Sequence, residues 1–402
     1  MKKVLLSLLF GSLSGTLGAA PLKVFVLIGQ SNMEGHAKIS SFDHIGMDPK
    51  TAPILKEMRN ADGTPRVLDD VWISYRTGSE DQPAGVGKLT AGFGSRKDPT
   101  QDGGKIGPEF TFGIYMEKFL GEPILIIKAA WGGKSIHTDF RPPSAGPYEF
   151  RDDQIAQFKK QGKDVEEIKA ARAAATGVYY RLMIDHVKEV LKDPKKVHPG
   201  YDPEEGFELS GIVWFQGWND MVAQDVYPKR DQPGGYDDYS KVLAHFIRDV
   251  RKDLNAPGVP FVIGVMGAGG PTSEYKDGQK RYQGVHENFR QAMAAPAKMP
   301  EFQGNVTAVL TEIYWDPELD EVEARKNKVN AKAKELKASG LSADEQKKEL
   351  EKFTNETLSA RDYELLKGIT NADYHYKGSA KIMAQIGKGF AEAIYASLRQ
   401  KK

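Results

Sequence analysis

Five short apolar runs constrain the fold of this chain more than any other feature of its sequence. Each holds seven to nine residues and lacks the regular polar alternation of a sheet that faces water on one side. Such runs are typical of strands buried on both faces of a parallel sheet. They are LKVFVLI (22–28), PILIIKAA (123–130), LSGIVWFQ (209–216), VPFVIGVMG (259–267) and NVTAVLTEI (305–313). The sequence therefore predicts an α/β fold with a mainly parallel central sheet.

Segments with helical periodicity separate these runs. Apolar residues recur at intervals of three and four in 108–121, 164–193 and 236–254. Alternation of strands and helices implies right-handed crossovers, which place helices on both faces of the sheet. We therefore expect a three-layer α/β/α sandwich whose functional residues lie beyond the carboxyl ends of its strands.

Two regions depart from this alternation. Residues 40–107 are rich in Gly, Pro, Asp and Thr with little periodicity, which indicates long loops over a sheet edge or a site. Residues 317–366 are dominated by Lys, Glu, Asp and Ala, with both charge signs interleaved. Within them, SADE (342–345) and the pair Ser359 and Asp362 have the spacing of helix capping boxes. We expect a charged, solvated helical insertion before the last helix.

The first twenty residues, MKKVLLSLLFGSLSGTLGAA, have the composition of a secretory signal peptide. A Lys pair precedes an apolar stretch that is too short and too interrupted to span a bilayer, and small residues precede Pro21. The alternative, a membrane anchor, is disfavoured by that length. We expect cleavage near Ala20, a single domain over 21–402, and a bacterial periplasmic or secreted location.

The balance of charged residues limits the classes of binding partner that the chain can favour. The chain has 56 Lys and Arg against 55 Asp and Glu, so no overall field favours nucleic acid or, after leader cleavage, a membrane surface. It contains no cysteine, and 402 residues with 40% hydrophobic content can bury a core without disulfides. Composition does not set the oligomeric state.

Four polar stretches follow predicted strands or precede the closing helix, where a site would lie. They are GQSN (29–32), WGGKSI (131–136), GWND (217–220) and ADYHYKGSA (372–380). Together they offer what acyl transfer requires: a nucleophilic hydroxyl, a base, a group that orients the base, and donors for an oxyanion. Ser31 stands at the end of the first strand, where its hydroxyl would be exposed, although a serine there can also simply cap the next helix.

The stretch WGGKSI admits two other interpretations. Its GGKS resembles the end of a phosphate-binding loop, but Lys128 stands where that loop has its first glycine, and two prolines follow where its helix would begin. Ser135 is a second candidate nucleophile beside Ser31. Gly132 and Gly133 come directly after the strand, where backbone N–H groups can approach an oxyanion closely, so we expect them to be donors.

Side-chain amides and a late histidine complete the predicted site. Asn219 or Gln216, at the end of the third run, could donate to an oxyanion, although Asn219 also fits a hydrogen-bonded turn. His375 precedes the closing amphipathic helix and has Asp373 two residues before it, so we expect His375 to be the base.

His36 and His137 are expected near the same edge and could line the site. No group of His, Cys, Asp and Glu has the spacing of a metal site, so we expect neither metal nor cofactor. The G-x-S-x-G nucleophile elbow is also absent from the sequence, which leaves the ordinary α/β-hydrolase arrangement unsupported.

The four stretches together resemble those of SGNH hydrolases, in particular the sialate O-acetylesterase-like branch that includes carbohydrate esterase family six. GQSNM (29–33) resembles the nucleophile block of that family, AWGGKSI the block whose glycine donates to the oxyanion, and GWND the block whose Asn does so. The resemblance spans residues 22–398 apart from the loops and the charged insertion. It implies the flavodoxin-like SGNH sandwich, with Ser31 as nucleophile and His375 as base.

The chain departs from that family at the acid that orients the histidine. The family usually carries D-x-x-H, but Ala372 stands three residues before His375. Relatives can take the acid from a Glu in an H-Q-G-E block, which here reads FQGW with Trp218 in that place. The candidates for the acid, in order of preference, are Asp373, Asp220 and Asp316.

The resemblance implies a serine esterase that removes O-acetyl groups from a sugar or polysaccharide through an acetyl-serine intermediate. Gln30 and Asn32, beside the nucleophile, and Trp131 are expected to contact the substrate. Aromatic residues of the loops would supply further faces for a sugar: Trp72, Tyr75, Trp131, Phe140 and Tyr148. Two alternatives stay open: a carbohydrate-binding protein on the same fold that has lost turnover, and a lipase-like or thioesterase-like enzyme, disfavoured because the sequence shows no long apolar lid.

Overall fold

The computed structural model describes residues 20–79, 81–101 and 103–400. The predicted leader, residues 1–20, lies outside them except for Ala20, so its cleavage and the export of the chain stay predictions. Within the described ranges, no helix is both long enough and apolar enough to cross a bilayer.

A seven-stranded sheet forms the centre of the molecule. The strands of this sheet and of a separate two-stranded ribbon are β1 (Leu22–Gly29), β2 (Ala37–Lys38), β3 (Val71–Arg76), β4 (Gly85–Lys88), β5 (Lys105–Ile106), β6 (Ile124–Ala130), β7 (Phe207–Phe215), β8 (Phe261–Val265) and β9 (Val306–Leu310). The order in the large sheet is β4-β3-β6-β1-β7-β8-β9, and all neighbours run parallel except β3 and β4. The strands β2 and β5 pair by themselves. All five predicted runs are strands of the large sheet, so the mainly parallel sheet is confirmed.

Helices cover both faces of this sheet. They are α1 (Ser31–Glu34), α2 (Phe42–Gly46), α3 (Ala52–Met58), α4 (Glu109–Leu120), α5 (Asp152–Lys160), α6 (Val165–Ala175), α7 (Val178–Lys192), α8 (Trp218–Val222), α9 (Asp237–Asp253), α10 (Asp277–Lys280), α11 (Gln283–Ala294), α12 (Pro317–Lys337), α13 (Ala343–Thr357), α14 (Ala360–Leu366) and α15 (Ala380–Gln400). The helices α4 and α15 pack on one face, whereas α7, α9 and α11 pack on the other. The predicted α/β/α sandwich is therefore confirmed.

The strand β1 shows why the predicted strands are continuously apolar. Phe25 and Leu27 point into the core under α4 and α15, while Val24 and Val26 point into the core under α7 and α9. Because side chains of a strand alternate between faces and both faces are covered, every position is buried. Burial on both sides thus removes the polar alternation that an exposed face would require.

The prediction of long loops over residues 40–107 is wrong in part. The region contains two strands of the large sheet, β3 and β4, together with α2 and α3. The strand β3 reads VWISYR, so Ser74 and Arg76 interrupt its apolar pattern. Ser74 is nevertheless buried, because its hydroxyl lies 3.3 Å from Nε2 of His186. The buried, hydrogen-bonded Ser74 breaks the apolar run that would otherwise indicate a strand in the sequence, so β3 was not predicted.

The charged region forms three helices, α12, α13 and α14. Ser342 and Ser359 cap α13 and α14 through the two predicted capping boxes. The insertion is less solvated than predicted, however, because Leu319 and Val322 of α12 are fully buried in the main core. Only its later part is the charged excursion that the sequence indicates.

Candidate active site

Ser31 stands where β1 ends and α1 begins. The two strands β1 and β7 approach closely at this point, since a Cβ on Gly29 would lie only 2.2 Å from the carbonyl oxygen of Phe215. Glycine is therefore required where the strand turns. Ser31 follows two residues later and retains 7% of its surface. It is thus the first residue of a tight turn at the carboxyl edge of the sheet.

The glycine loop after β6 lies beside Ser31, as predicted. A Cβ on Gly132 would lie 3.9 Å from Cβ of Ser31 and 2.9 Å from Oε2 of Glu34. Both Gly132 and Gly133 are exposed, and Gly133 has a φ of 75°, which favours glycine. Unsubstituted backbone therefore lies next to the predicted nucleophile.

A network of side-chain amides fixes the orientation of Asn219. The backbone N–H of Gly217 donates to Oε1 of Gln30 at 3.1 Å, which identifies that atom as the acceptor end of the Gln30 amide. Nε2 of Gln30 then donates to Oδ1 of Asn219 at 3.0 Å. Because Oδ1 of Asn219 is occupied in this way, its Nδ2 group is the end left for an oxyanion.

The same network corrects two predicted roles. Gln216 was expected to donate to the oxyanion, but its Nε2 donates to Asp220 at 2.6 Å, to Gln30 at 3.1 Å and to the Lys134 carbonyl at 3.0 Å. Gln30 was expected to contact the substrate, but both ends of its amide bond to the protein and it is 1% exposed. Both residues position Asn219 and the neighbouring loops.

His375 lies on a short turn, Asp373–Gly378, which we call the histidine turn. Its Nδ1 lies 3.0 Å from Oδ1 of Asn371, and that oxygen also accepts from the N–H of Ala372 at 2.8 Å. Since Oδ1 can only accept, Nδ1 of His375 carries the proton and Nε2 is left as the basic nitrogen. Burial, and then the neighbouring His36, lower the pKa of His375 to about 4.

Asp373, the preferred candidate for the acid, does not face His375. Its Oδ1 accepts from Nζ of Lys377 at 2.6 Å, and its side chain is 66% exposed. The residue that meets Nδ1 of His375 is the amide of Asn371, four positions earlier in the chain. The prediction of Asp373 is therefore wrong, because proximity in sequence did not fix which side chain turns toward the ring.

The two other candidate acids also bind elsewhere. Asp220 is fully buried and accepts from Nδ1 of His137 at 2.9 Å and from the N–H of Ile136 at 2.9 Å. Burial alone would raise the pKa of Asp220, but His137 and the Ile136 N–H lower it. Asp316 accepts from Lys381 at 2.8 Å and caps α12. Asp220 thus fixes the glycine loop, and Asp316 fixes the insertion.

The histidine turn is held in a strained backbone conformation. Tyr376 and Lys377 have φ values of 51° and 56°, a region that residues with a Cβ rarely adopt. The hydroxyl of Tyr376 accepts from the N–H of Gly267 at 2.8 Å, and it lies 2.6 Å from Oγ1 of Thr311. The Nδ2 of Asn32 donates to the Tyr374 carbonyl at 3.1 Å. Asn32 therefore links the turn to α1, and its contact with substrate stays a prediction.

No hydrogen bond joins Ser31 Oγ to the ring of His375 among the described residues. Bonds of this kind are often long in a substrate-free enzyme and tighten when substrate binds. The bond from Asn32 to the histidine turn nevertheless holds the two elements against each other. The structure thus brings Ser31, Gly132, Asn219 and His375 to one edge of the sheet.

Several predicted aromatic and nucleophilic residues are part of the core. Trp131 is 3% exposed and donates from Nε1 to the Gly78 carbonyl at 2.9 Å, while Tyr75 and Phe140 are fully buried. These three rings therefore cannot present a face to a sugar. Ser135 is also buried, and its hydroxyl donates to Asp139 at 2.9 Å, which argues against its role as a nucleophile.

The two remaining aromatic residues lie away from Ser31. The ring of Trp72 packs against His198 with 5.9 Å between centroids. Tyr148 and His137 line a cavity of about 580 Å³ whose lining does not include Ser31. Neither ring is connected to the nucleophile by the contacts of the site.

A different set of aromatic residues borders His375. Trp218 and Tyr374 precede Asn219 and His375 in the chain, and their rings lie 5.4 Å apart. Both line a cavity of about 540 Å³, which we call the aromatic pocket and which also contains Tyr275, Tyr282 and Arg230. The sequence showed Trp218 only as the replacement of a family acid, so its place in a pocket was missed.

The chain matches a known protein family over most of its length. Residues 21–303 match the model of a family described as carbohydrate esterase, sialic acid-specific acetylesterase. The matched span holds Ser31, Gly132 and Asn219, whereas His375 lies beyond it. No curated protein matches the chain.

Three solved structures are similar over much of the chain. A protein from Arabidopsis thaliana is 15% identical, with a TM-score of 0.43, and the match covers 94% of this chain and 98% of that one. A carbohydrate acetylesterase from Xanthomonas citri is 16% identical, with a TM-score of 0.38 and coverage of 71% and 49%. The protein NanS is 13% identical, with a TM-score of 0.37 and coverage of 72% and 78%.

Proposed function

Because the chain belongs to the family of carbohydrate esterases described as sialic acid-specific acetylesterases, we propose that it removes O-acetyl groups from a carbohydrate through an acetyl-serine intermediate. Membership makes it a carboxylic ester hydrolase of the carbohydrate acetylesterase type. The observation that carries the proposed mechanism is the meeting of Ser31, Gly132, Asn219 and His375 at one sheet edge. These are the nucleophile, two oxyanion donors and the base that acyl transfer requires.

In the first half of the reaction, Ser31 Oγ attacks the acetyl carbonyl carbon and passes its proton to Nε2 of His375. The ring can accept this proton because its Nδ1 proton is held by Asn371. Because the pKa of the ring is lowered to about 4, the ring is neutral at every pH well above 4 and its Nε2 is free to take this proton.

The negative charge of the tetrahedral intermediate needs donors that are already in place. We assign this role to the backbone N–H of Gly132 or Gly133 and to Nδ2 of Asn219. The Gln30 amide holds Asn219 by its oxygen, so the donor end does not have to reorganise during the reaction.

In the second half, the carbon–oxygen bond to the sugar breaks and the sugar oxygen takes the proton from His375. Acetyl-Ser31 remains. A water molecule then loses a proton to Nε2 of His375 and attacks the acetyl carbon, which releases acetate and returns the proton to Ser31 Oγ.

The aromatic pocket is the proposed site of the sugar. Trp218 and Tyr374 adjoin the oxyanion donor Asn219 and the base His375, so an acetyl group at the reaction centre would place its sugar ring against these two rings. Apolar sugar faces pack well on aromatic side chains. A sialate and a neutral polysaccharide unit are both candidate substrates.

The mechanism is tested by hydrolysis of p-nitrophenyl acetate, O-acetylated sialic acid, acetylated neutral sugars and an acetylated polysaccharide, with Ser31→Ala beside the wild type. We expect the wild type to release acetate and Ser31→Ala to lose at least about a thousandfold in kcat. Equal rates of acetate release by the wild type and Ser31→Ala would contradict the mechanism. Preference for longer acyl chains would overturn only the choice of substrate.

A second candidate function is carbohydrate binding with little or no turnover. The observation that favours it is the neutral Asn371 in the place where a triad has its carboxylate. Under this alternative the wild type binds the acetylated sugar, as measured by calorimetry, but releases no acetate above the rate of Ser31→Ala.

We also propose that the protein is exported, on the composition of residues 1–20. The test is N-terminal sequencing of the mature protein from the periplasmic or secreted fraction of a bacterial host. A mature chain that starts near Pro21 is expected, and an intact Met1 in the cytoplasmic fraction would overturn the proposal.

A further inference from the structure

We propose that Glu34 acts on the reaction through His375: its carboxylate supplies the negative charge that offsets the charged form of His375, while Asn371 only orients the ring. The two tasks of a triad acid would then be divided between two residues. This inference rests on the proposed function, because it concerns the proton that Ser31 gives to His375.

The carboxylate of Glu34 lies inside the site. Glu34 is the last residue of α1, one turn after Ser31, and its side chain is 13% exposed. Its Oε1 accepts from Oγ1 of Thr77 at 2.8 Å. Its Oε2 lies 2.9 Å from where a Cβ of Gly132 would be, and 3.8 Å from Nε2 of His36. The carboxylate is therefore fixed between the glycine loop and the two histidines.

His36 connects this carboxylate to the base. The rings of His36 and His375 stack face to face, with centroids 3.9 Å apart and planes 5° from parallel. Nε2 of His36 is buried and makes no hydrogen bond among the described residues, although Glu34 is the carboxylate nearest to it. A buried polar atom without a hydrogen bond calls for an explanation, and here the carboxylate of Glu34 lies 3.8 Å from it.

The neutral amide of Asn371 leaves a task unfilled. Oδ1 of Asn371 fixes the tautomer of His375, but an amide carries no net charge to stabilise the imidazolium that forms when Ser31 attacks. Besides burial, the neighbouring His36 and Lys105 disfavour a proton on His375, whereas Glu34 favours it. Asp373 is directed at Lys377 instead. Glu34 is thus the carboxylate placed to offset the new positive charge.

A merely structural role for Glu34 makes a different prediction. In that case Glu34 would only hold Thr77 and the strand end at β3, and its loss would change folding or substrate binding. A charge role instead affects the chemical step and the proton affinity of His375. Three measurements distinguish the two roles: kcat, the pH dependence of kcat, and whether a new carboxylate beside Nδ1 of His375 restores activity.

The experiment compares Glu34→Gln, Asn371→Asp and the double variant, with p-nitrophenyl acetate as substrate. We expect Glu34→Gln to lower kcat roughly 10- to 100-fold with KM within about twofold, because the substitution removes charge and keeps shape. The acid limb of the plot of kcat against pH should move to lower pH in this variant, because loss of a negative neighbour lowers the pKa of His375.

Rescue is the decisive result. Asn371→Asp places a carboxylate on Nδ1 of His375, so it should move the acid limb to higher pH, and in the double variant it should restore kcat to within about fivefold of the wild type. A double variant no faster than Glu34→Gln would overturn the inference, as would a Glu34→Gln variant within twofold of the wild type.

Two controls distinguish a specific role of Glu34 from a general effect of Glu→Gln substitution and from a failure of the proposed function. Glu122→Gln makes the same substitution before β6, at the opposite edge of the sheet, where Glu122 pairs with Lys23 at 3.4 Å, and it should leave kcat unchanged. Ser31→Ala tests the proposed function: full activity in Ser31→Ala would overturn that function and this inference together. An inactive Ser31→Ala beside a normal Glu34→Gln would overturn this inference alone.

Discussion

His375 depends on a neutral residue for its orientation. Asn371 accepts the Nδ1 proton at 3.0 Å, so it fixes the tautomer in which Nε2 faces the reaction. We expect Asn371→Ala to lower kcat roughly 10- to 100-fold, because the ring loses its orientation and its tautomer. The effect is measured with p-nitrophenyl acetate at pH 7.

The contrasting variant is Asp373→Asn. Its carboxylate lies two residues from His375 in sequence but bonds to Lys377, so its replacement should lower kcat far less than Asn371→Ala. A larger loss in Asp373→Asn than in Asn371→Ala would restore the assignment of Asp373 as the acid and contradict the observed geometry.

The sequence predicted which residues lie together in the candidate site, but not which hydrogen bonds each side-chain amide or carboxylate makes there. Gln216, Gln30 and Asn219 carry the same functional group, and only the direction of the hydrogen bonds shows that Asn219 retains a free donor end. The hydrogen-bond partner of His375 was missed for a related reason. The side-chain oxygen of an Asn, like that of an Asp, can accept a hydrogen bond from Nδ1–H of a histidine. The prediction considered only carboxylates, so it did not include Asn371.

The histidine turn owes its shape to a helix of the charged insertion. Nζ of Lys377 is buried between Asp373 at 2.6 Å, Asp320 at 3.1 Å and Glu323, and the last two belong to α12. Burial alone would lower the pKa of Lys377, but these carboxylates raise it. The insertion therefore positions the base of the site from outside the sheet.

We expect Lys377→Met to weaken both folding and catalysis. Its side chain is 1% exposed, so its loss leaves three carboxylates together and releases the strained turn. The free energy of unfolding should fall by about 2 to 3 kcal/mol, less than for a fully buried pair because the carboxylates are partly exposed. Urea unfolding and kcat measure the two effects.

Lys367→Met is the matched control for this element. Lys367 is 62% exposed and pairs with Glu364 at 2.7 Å on the surface of α14, so its replacement should change stability by less than about 0.5 kcal/mol. Equal stability of Lys377→Met and Lys367→Met would contradict a buttressing role for α12.

Elements with a local signal were predicted well, and those that depend on distant partners were not. The caps at Ser342 and Ser359 are visible within four residues of sequence, and both form. The strand β3 is recognisable only from its place beside β6, because its polar Ser74 is satisfied by His186 on a distant helix. The burial of Leu319 and Val322 of α12 likewise comes from packing in the main core, which the local sequence does not show.

The order of strands in the whole molecule explains why one edge carries the site. The strand β1 lies between β6 and β7, so Ser31 at its end stands between the glycine loop after β6 and the GWND stretch after β7. In a parallel sheet the carboxyl ends of neighbouring strands meet at one edge. The sequence therefore predicted the gathering of these residues, while the strand order itself depends on packing across the whole chain.

One buried and two half-buried histidines in different parts of the fold make its stability depend on pH. Burial lowers the pKa of His186, His286 and His375 to about 4, from an ordinary value of 6.5. Between these values the unfolded chain binds protons that the native protein does not, so the free energy of unfolding falls as the pH falls from 6.5 toward 4. Each such histidine contributes a slope of up to about 1.4 kcal/mol per pH unit. We expect urea unfolding at pH 7, 6 and 5 to show this decline, and His186→Gln to reduce the slope by roughly one histidine's share. A free energy of unfolding at pH 5 equal to that at pH 7, together with an unchanged slope in His186→Gln, would contradict the lowered pKa values of these rings.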